Sequence, residues 1–426
     1  MRYHFARPLP LLLGIIFCCL VLGCSNSEGV DGTGWDDIIV SQDSNGFADS
    51  SIDYLPLDDS EYPYAGIPRV VIVTENFRQI RDRETEIPAK LQIWGKDAPE
   101  SEIMDLTIKG RGNSTWNYPK KPYAIKFNKK QAFLGMPKAK KWVMLANYRD
   151  RTLIRNAIAY ELGHRTNIGW TPNGKFAEVY LNKKYIGNYF ISEKIEINKS
   201  RLNFSDSTYL LEFDVHYDEK LKFKTLIKKY PVNIKSPKEL TESNFLYIKD
   251  FIDSIETCLY KSINCDITSL IDLNSFADYL IIYELAYNTE ISHPKSGFMY
   301  CEKGSQMKAG PIWDFDWNTF DPLANDFVTN KNYIWYNQLV NRKTFLKKLD
   351  SNWNTYKSNF LELTNYIDSL SNYVEKSSII NDKKCNRTNN NSDSFENGSY
   401  KDAISLLKQS YLKRFTLLNQ EFHYKY

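Results

Sequence analysis

The chain has 426 residues, of which 42% are hydrophobic, 14% aromatic and 25% charged. This composition is typical of a globular protein and excludes a fibrous, collagenous or wholly disordered chain. The formal net charge of +3 conceals two segments of opposite sign. Residues 25–67 contain ten acidic residues and no Lys or Arg, whereas residues 68–426 carry an excess of eleven basic residues.

The first residues have the organisation of a secretory signal. Arg2 and Arg7 precede an apolar run over residues 9–22, which is too short for a confident membrane span. The run ends in the sequence LVLGC, which resembles the bacterial lipobox and closes at Cys24. We therefore predict a lipoprotein signal peptide over residues 1–23 and lipidation of Cys24. The alternative is a free cysteine in an ordinary signal peptide.

The segment after Cys24 predicts a spacer between membrane and folded protein. Residues 24–67 are rich in Ser, Asp and Gly and contain too little periodic apolar sequence to close a core. We expect the lipidated cysteine to be followed by an acidic flexible tether, and the lipid to be the membrane attachment. Ser25 after the cysteine points to an exported lipoprotein of the cell envelope, with outer-membrane sorting.

The body of the chain predicts an α+β fold. The region over 68–330 mixes strands and helices, and the region over 331–426 is helical apart from a polar interruption at 381–399. Turn-forming residues separate the predicted strands, and apolar residues at helical spacing mark the helices. We predict strands at 68–74, 89–94, 105–109, 123–127, 177–181, 185–191 and 209–213, and helices at 151–163, 243–261 and 270–287.

Four cysteines follow the predicted signal peptide and Cys24. They form no CxxC and no Cys/His ligand spacing, which argues against a structural zinc site. A disulfide between Cys258 and Cys265 is one possibility in an exported protein, and two buried thiols are the other. The remaining two are Cys301 and Cys385.

Two short segments carry carboxylates suited to chemistry. Asp314 and Asp316 stand at i and i+2 between aromatic residues, so an extended backbone would point both to one side, where they suit Mg²⁺. The alternative is a pair of exposed turn carboxylates. Glu290 and His293 lie on the loop after the helix at 270–287 and offer a base or an orienting group. His293 alone can equally be structural.

A third segment is basic and contains Gly and Ser, a composition that suits phosphate oxygens. It contains Arg111, Lys120, Lys121 and Lys126. Lys126 should face away from Ile125 on its strand, where it either meets a nucleotide phosphate or is solvated surface. No Rossmann, Walker A or HExxH motif occurs in the sequence.

Together these segments resemble the spore-coat protein H (CotH) kinase family, whose members have an atypical protein-kinase-like fold. The matching stretches run in family order over roughly residues 68–330. They are KGRGNSTW (109–116), KKPYAIKF (120–127), WVMLANYRD (142–150), LIRN (153–156), VYLN (179–182) with YIG (185–187), SEKI (192–195) and GPIWDFDW (310–317).

The resemblance implies a β-rich N-terminal lobe, a mainly helical C-terminal lobe, and transfer of phosphate from ATP with Mg²⁺ or another divalent cation. It places Glu290 where many family members carry a catalytic Asp. It implies nucleotide binding by Lys126, Arg111, Asn113 and Glu161, with Glu161 pairing with Lys126. It implies metal binding by Asp314 and Asp316. It implies catalysis by Glu290, Asp316 and His293.

The leading hypothesis is an exported, lipid-anchored atypical kinase that phosphorylates a hydroxyl of an envelope or surface protein. Its expected partners are that protein substrate and the membrane, through Cys24, and no nucleic acid. One alternative is a kinase-like binding module with little or no activity, a pseudokinase. The other is a glycan-acting enzyme that uses Glu290 with Asp314 or Asp316 as its carboxylate pair.

Overall fold

The computed structural model describes residues 57, 59–262, 265–292, 294–331, 334–385 and 398–424. The predicted signal peptide, Cys24 and the tether up to residue 56 lie outside the described residues, and so does His293. Within these described ranges no helix combines the length and apolarity needed to cross a bilayer.

Seven strands in the first half of the described chain close into a barrel. Its order is β1-β2-β3-β4-β5-β7-β6, and a parallel pairing between β1 and β6 closes it, whereas the other pairings are antiparallel. The strands are β1 (Arg69–Thr74), β2 (Ile87–Trp94), β3 (Met104–Gly110), β4 (Tyr123–Phe133), β5 (Met136–Leu145), β6 (Gly174–Leu181) and β7 (Lys184–Glu193).

Strand β1 is buried on both faces, which explains its unbroken run of β-branched residues. Val70 and Ile72 pack in one apolar core with residues of the neighbouring strands, while Val71 and Val73 belong to a second core. Helix α1 (Arg155–His164) contributes Ala157, Ile158 and Leu162 to that second core. The barrel therefore has helical structure packed on its outer face.

The rest of the described chain adds a second sheet and further helices. This sheet has the order β12-β11-β8-β10-β9 and consists of β8 (Tyr209–Phe213), β9 (Lys222–Lys224), β10 (Pro231–Ser236), β11 (Gly297–Cys301) and β12 (Lys308–Ala309). The helices are α2 (Glu242–Tyr260), α3 (Leu273–Ala286), α4 (Tyr336–Leu339), α5 (Lys343–Leu361), α6 (Leu363–Lys384) and α7 (Tyr400–Tyr424).

Helix α3 is the central helix of this part. It contacts α1, α5 and α7, and it is buried from Ser275 to Ala286, as its apolar sequence predicts. Asp272 caps its first turn by accepting a hydrogen bond from the amide of Ser275. The helix ends at Tyr287, whose left-handed φ of 50° turns the chain into the loop that carries Glu290.

The predicted α+β organisation is confirmed in its coarse form, a β-rich first half followed by a helical C-terminal region. The sequence did not reveal β5, because its lysines break the apolar alternation, or the strands β9, β10, β11 and β12, which are two to six residues long. The prediction of an extended segment at 310–317 is wrong, since this segment forms no strand and Asp314 has a φ of 69°. The disulfide left open above is formed between Cys258 and Cys265.

Candidate active site

A cavity of about 330 Å³ lies where the β3–β4 loop and the end of β5 face the end of β8 and the loops after α3 and β12. Five of the predicted site residues line it together, although they are distant in sequence. They are Arg111, Asn113, Glu290, Asp314 and Asp316. The barrel thus supplies the cationic side of the cavity, and the loops around α3 and β12 supply carboxylates.

Asp314 is held by two hydrogen bonds, one to its backbone carbonyl and one to its side chain. The side chain of Asn288 donates a hydrogen bond to its carbonyl oxygen at 2.9 Å, and the Ser296 hydroxyl donates to its carboxylate at 3.2 Å. A left-handed φ is costly for a residue other than glycine, so this backbone depends on the surrounding contacts. The rings of the buried neighbours Trp313 and Phe315 pack near those of Tyr160 and Tyr283, and these contacts anchor the segment.

Glu290 presents an unsatisfied carboxylate oxygen to the site. Its backbone amide donates to the side chain of Asn288 at 3.0 Å, and its Oε1 lies 3.6 Å from the Lys295 ammonium. Its Oε2 is buried and accepts no hydrogen bond from the part of the chain that the structure describes. Burial raises the pKa of Glu290, and the neighbouring Asp314 carboxylate raises it further. The site therefore favours an added positive charge.

Asp316 experiences the same excess of negative charge. Burial is the main cause that raises its pKa, followed by the carboxylates of Asp314 and Asp150, while Arg111 opposes the change. Arg111 lies with its guanidinium 5.9 Å from the Trp313 ring centroid. Burial lowers the pKa of Arg111 and the Asp314 carboxylate opposes this shift, so the guanidinium remains a fixed cation.

The donor set fits a magnesium ion that is held partly by a phosphate ligand. No group of three or more His, Cys, Asp or Glu side chains arranged for a metal occurs among the described residues. Mg²⁺, however, is commonly bound through one or two carboxylates together with water and substrate phosphates. The carboxylates of Asp314 and Asp316, which line the cavity together, provide such oxygen ligands.

Two carboxylates at the end of β8 were not predicted as site residues. Glu212 and Asp214 both line the cavity. Asp214 accepts hydrogen bonds from the amides of His216 at 2.7 Å and Ser296 at 3.1 Å, so it ties β8 to the loop beside Asp314. Their i, i+2 spacing at the end of a predicted strand repeats the Asp314 and Asp316 pattern and is the signal that would have found them.

Lys126 and Glu161 lie elsewhere. Lys126 is exposed and faces away from the buried Ile125, as predicted, but its ammonium lies 3.7 Å from Glu86 and it does not line the cavity. Glu161 pairs with Arg165 at 2.9 Å, one helical turn away. The predicted pair between Lys126 and Glu161 is therefore not formed.

Lys120 is the lysine of the basic segment that lines the cavity. It is buried, and its ammonium donates hydrogen bonds to the carbonyl of Asn188 and to the side chain of Asn381, the latter at 2.8 Å. The ammonium also lies 4.6 Å from the Tyr189 ring centroid. The sequence grouped this lysine with Lys126, and only its partners on β7 and α6 distinguish the two.

A sequence model of the CotH kinase protein family matches residues 108–418 of the chain. The matched region includes every cavity residue described above. Among curated proteins, the phenylalanine–tRNA ligase beta subunit of Buchnera aphidicola subsp. Schizaphis graminum (strain Sg) is 34% identical over 102 residues. These residues are 23% of this chain and 12% of the ligase subunit, so the match transfers neither the activity nor the substrates of that enzyme. The family match covers most of the chain and its cavity, and the protein belongs to the CotH kinase protein family.

Proposed function

We propose that this protein is an exported, lipid-anchored atypical kinase that transfers phosphate from ATP to a hydroxyl group of an envelope or surface protein. Phosphoryl transfer depends on positioning and charge neutralisation rather than on covalent chemistry by the protein. The observation that supports the proposal most directly is the meeting of Arg111 with the carboxylates of Glu290, Asp314 and Asp316 in one cavity.

Each of these side chains suits one part of the reaction. Arg111 and Asn113 on the β3–β4 loop would bind phosphate oxygens. Asp314 and Asp316 would hold the Mg²⁺, which supplies charge neutralisation on the phosphates when it is bound. Glu290 would orient the acceptor hydroxyl and accept its proton, with Lys295 at 3.6 Å holding its carboxylate. The barrel and the helical region would then act as the two lobes of a kinase-like fold.

Export and anchoring remain part of the proposal and rest on residues 1–24. The disulfide between Cys258 and Cys265 supports export, because such bonds persist mainly in oxidising compartments. Replacing Cys24 by Ser tests the anchor. The wild-type chain should be recovered with membranes and incorporate labelled palmitate, whereas Cys24→Ser should do neither. Equal membrane recovery of the two proteins would remove the lipid anchor from the proposal.

Nucleotide binding tests the site without knowledge of the acceptor. We expect Mg·ATP to bind the wild-type protein by calorimetry, and Asp314→Asn and Arg111→Gln each to weaken binding at least about tenfold, or about 1.4 kcal/mol. Lys126→Gln is the control, because Lys126 is exposed and outside the cavity. Loss of binding in Lys126→Gln alone would restore the role that the sequence implied for Lys126. The absence of Mg·ATP binding by the wild type would refute the kinase proposal.

The two alternative functions make different demands on the cavity. A pseudokinase would bind Mg·ATP and transfer no phosphate, so it is distinguished by an assay of transfer. Glycan hydrolysis requires carboxyl groups at least about 5 Å apart. Glu290 and Asp314 line the same cavity, so glycan cleavage that is lost in Glu290→Gln, without any binding of Mg·ATP, would favour this alternative.

A further inference from the structure

The hairpin of β4 and β5 extends beyond the barrel. Strand β3 pairs with β4 only as far as Phe127, and β7 pairs with β5 only from Trp142 onward. Residues 128–141 therefore form a two-stranded ribbon, here named the β4–β5 arm, with no further strand beside it. An isolated ribbon is marginally stable. In the β4–β5 arm, the ring of Phe133 contacts the ring of Trp142, with centroids 5.6 Å apart, and this contact anchors the arm to the barrel.

The β4–β5 arm is strongly basic. From Leu106 to Arg149 the sequence contains eleven Lys and Arg residues and no Asp or Glu. All lysines of the arm are exposed, and Lys141 lies 3.4 Å from Glu196. Within the described ranges, no carboxylate lies within 4.0 Å of the other four, which are Lys129, Lys130, Lys138 and Lys140.

The placement of these charges carries an energetic cost. Lys126 and Lys141 are direct partners in the β4–β5 register, where like charges repel, and each of them is paired with a carboxylate, Glu86 and Glu196 respectively. Among the described residues, the other four lysines of the arm have no such compensation. Lysines on an exposed edge can prevent unwanted strand pairing. One or two lysines would serve that purpose, whereas here several of the same sign share one ribbon. The concentration of charge therefore points to an anionic ligand.

Further lysines lie near the root of the arm, and two of them, Lys235 and Lys238, are paired with carboxylates. Lys194 lies after β7 and is exposed; partial desolvation by its neighbours, and then the positive charges of Lys141, Lys235 and Lys238, lower its pKa to about 8, against the Glu196 carboxylate. Lys235 in turn lies 2.9 Å from Glu212, which lines the cavity. The cavity is lined by Pro122 and Leu145, beside the other end of the same two strands, so an extended chain that continues past the root of the arm would reach the candidate active site.

We propose that the β4–β5 arm docks an acidic, extended segment of a protein and so recruits the acceptor to the cavity. That the docked protein is also the phosphate acceptor rests on the proposed kinase function. The docking itself does not depend on that function. Two features favour a polypeptide over a lipid surface. The strands of the arm continue to the cavity, and the outer edge of its β4 strand carries backbone groups that another polypeptide chain can pair through its main chain. On the β5 side, the carbonyls of Lys138 and Lys141 accept hydrogen bonds from Ser200 and Arg201.

Binding assays with the full chain test the docking without any catalysis. The arm variant replaces Lys129, Lys130, Lys138 and Lys140 by Gln. A matched control makes the same change at four exposed lysines outside the arm, namely Lys184, Lys261, Lys343 and Lys347. The probes are a fluorescent oligo-glutamate peptide, measured by anisotropy, and phosphatidylcholine vesicles containing phosphatidylglycerol, measured by co-sedimentation.

We expect the arm variant to bind oligo-glutamate at least about tenfold more weakly than the wild type and the control variant. Its circular dichroism spectrum and its binding of Mg·ATP should be unchanged. Equal peptide affinity in the arm variant and the control variant would overturn the proposal. It would also be overturned if the arm variant lost vesicle binding and kept peptide binding, because that result identifies a membrane contact. A wild type that binds oligo-glutamate but no Mg·ATP would refute the kinase function and leave the docking site supported.

Discussion

At Glu290 the local environment disfavours the charged form of the carboxylate, which indicates a functional role for this side chain. The side chain is buried, one of its oxygens accepts no hydrogen bond from the described residues, and the charge of Asp314 opposes its ionisation. Buried carboxylates with a raised pKa are concentrated at functional sites.

Glu290→Gln is the decisive single substitution for catalysis. We expect phosphate transfer to an envelope-protein extract to fall at least about a hundredfold, because a positioned general base contributes about 10² to 10⁴ in rate. Mg·ATP affinity should change by less than about twofold, since Arg111, Asp314 and Asp316 are retained. Transfer of labelled phosphate at the wild-type rate would show that Glu290 is not the base.

Lys120 and Lys126 show that local sequence does not decide which lysine of a basic segment lines the cavity. Both lysines stand in the same basic segment, six positions apart. Only the packing of α6 against β7 gives Lys120 its buried partners Asn188 and Asn381. The Asp314 and Asp316 pair was recognisable from sequence because its aromatic neighbours marked a buried, ordered segment.

At the scale of elements, α6 and the barrel are joined by a buried polar network. The side chain of Asn381 accepts hydrogen bonds from Lys120 and from the backbone of Asn188 on β7. Asn188 donates to Ser377 one turn earlier on the helix, and Ser377 donates to Glu178 on β6. Buried groups of this kind are costly when they lose their partners, so the network fixes where α6 lies on the barrel.

Gly187→Ala tests this close approach of helix and strand. An added Cβ would lie 2.6 Å from the Asn381 side chain and 3.0 Å from Lys120, and the φ of 108° also disfavours any side chain. We expect a loss of at least about 2 kcal/mol in the free energy of unfolding, measured by urea denaturation.

The matched control is Gly304→Ala, because Gly304 also has a positive φ but no atom within 4 Å of the added Cβ. Its expected cost is the backbone strain alone, about 1 kcal/mol. If the two substitutions proved equally costly, the approach of α6 to β7 would contribute nothing beyond the backbone strain.

At the scale of the whole molecule, buried carboxylates link stability to pH. Glu178 lies where β1 and β6 close the barrel, opposite Arg69 in the register. Burial raises its pKa from 4.5 to about 7, although Arg69 and the hydroxyls of Tyr185 and Ser377 oppose the shift. The folded protein therefore binds this proton more tightly than the unfolded chain does.

The sign of the pH dependence follows from the raised pKa. Between pH 4.5 and about 7 the folded state holds more protons at Glu178 than the unfolded state, so this group lowers stability as pH rises through that window. We expect the free energy of unfolding of Glu178→Gln to fall less steeply with pH over this range than that of the wild type. Parallel stability curves from urea denaturation at several pH values would contradict this assignment.

The sequence alone determined the β-rich first half and the helical C-terminal region, the segments that resemble the CotH family, and the carboxylate pair at Asp314 and Asp316. These features are local, because periodicity and neighbouring aromatic residues show which positions are buried. Closure of the barrel through the parallel β1–β6 pairing, the entry of Glu212 and Asp214 into the cavity, and the separation of Lys126 from it were decided by the tertiary structure. These features depend on which buried faces meet across long stretches of chain, and local sequence periodicity carries no information about that meeting.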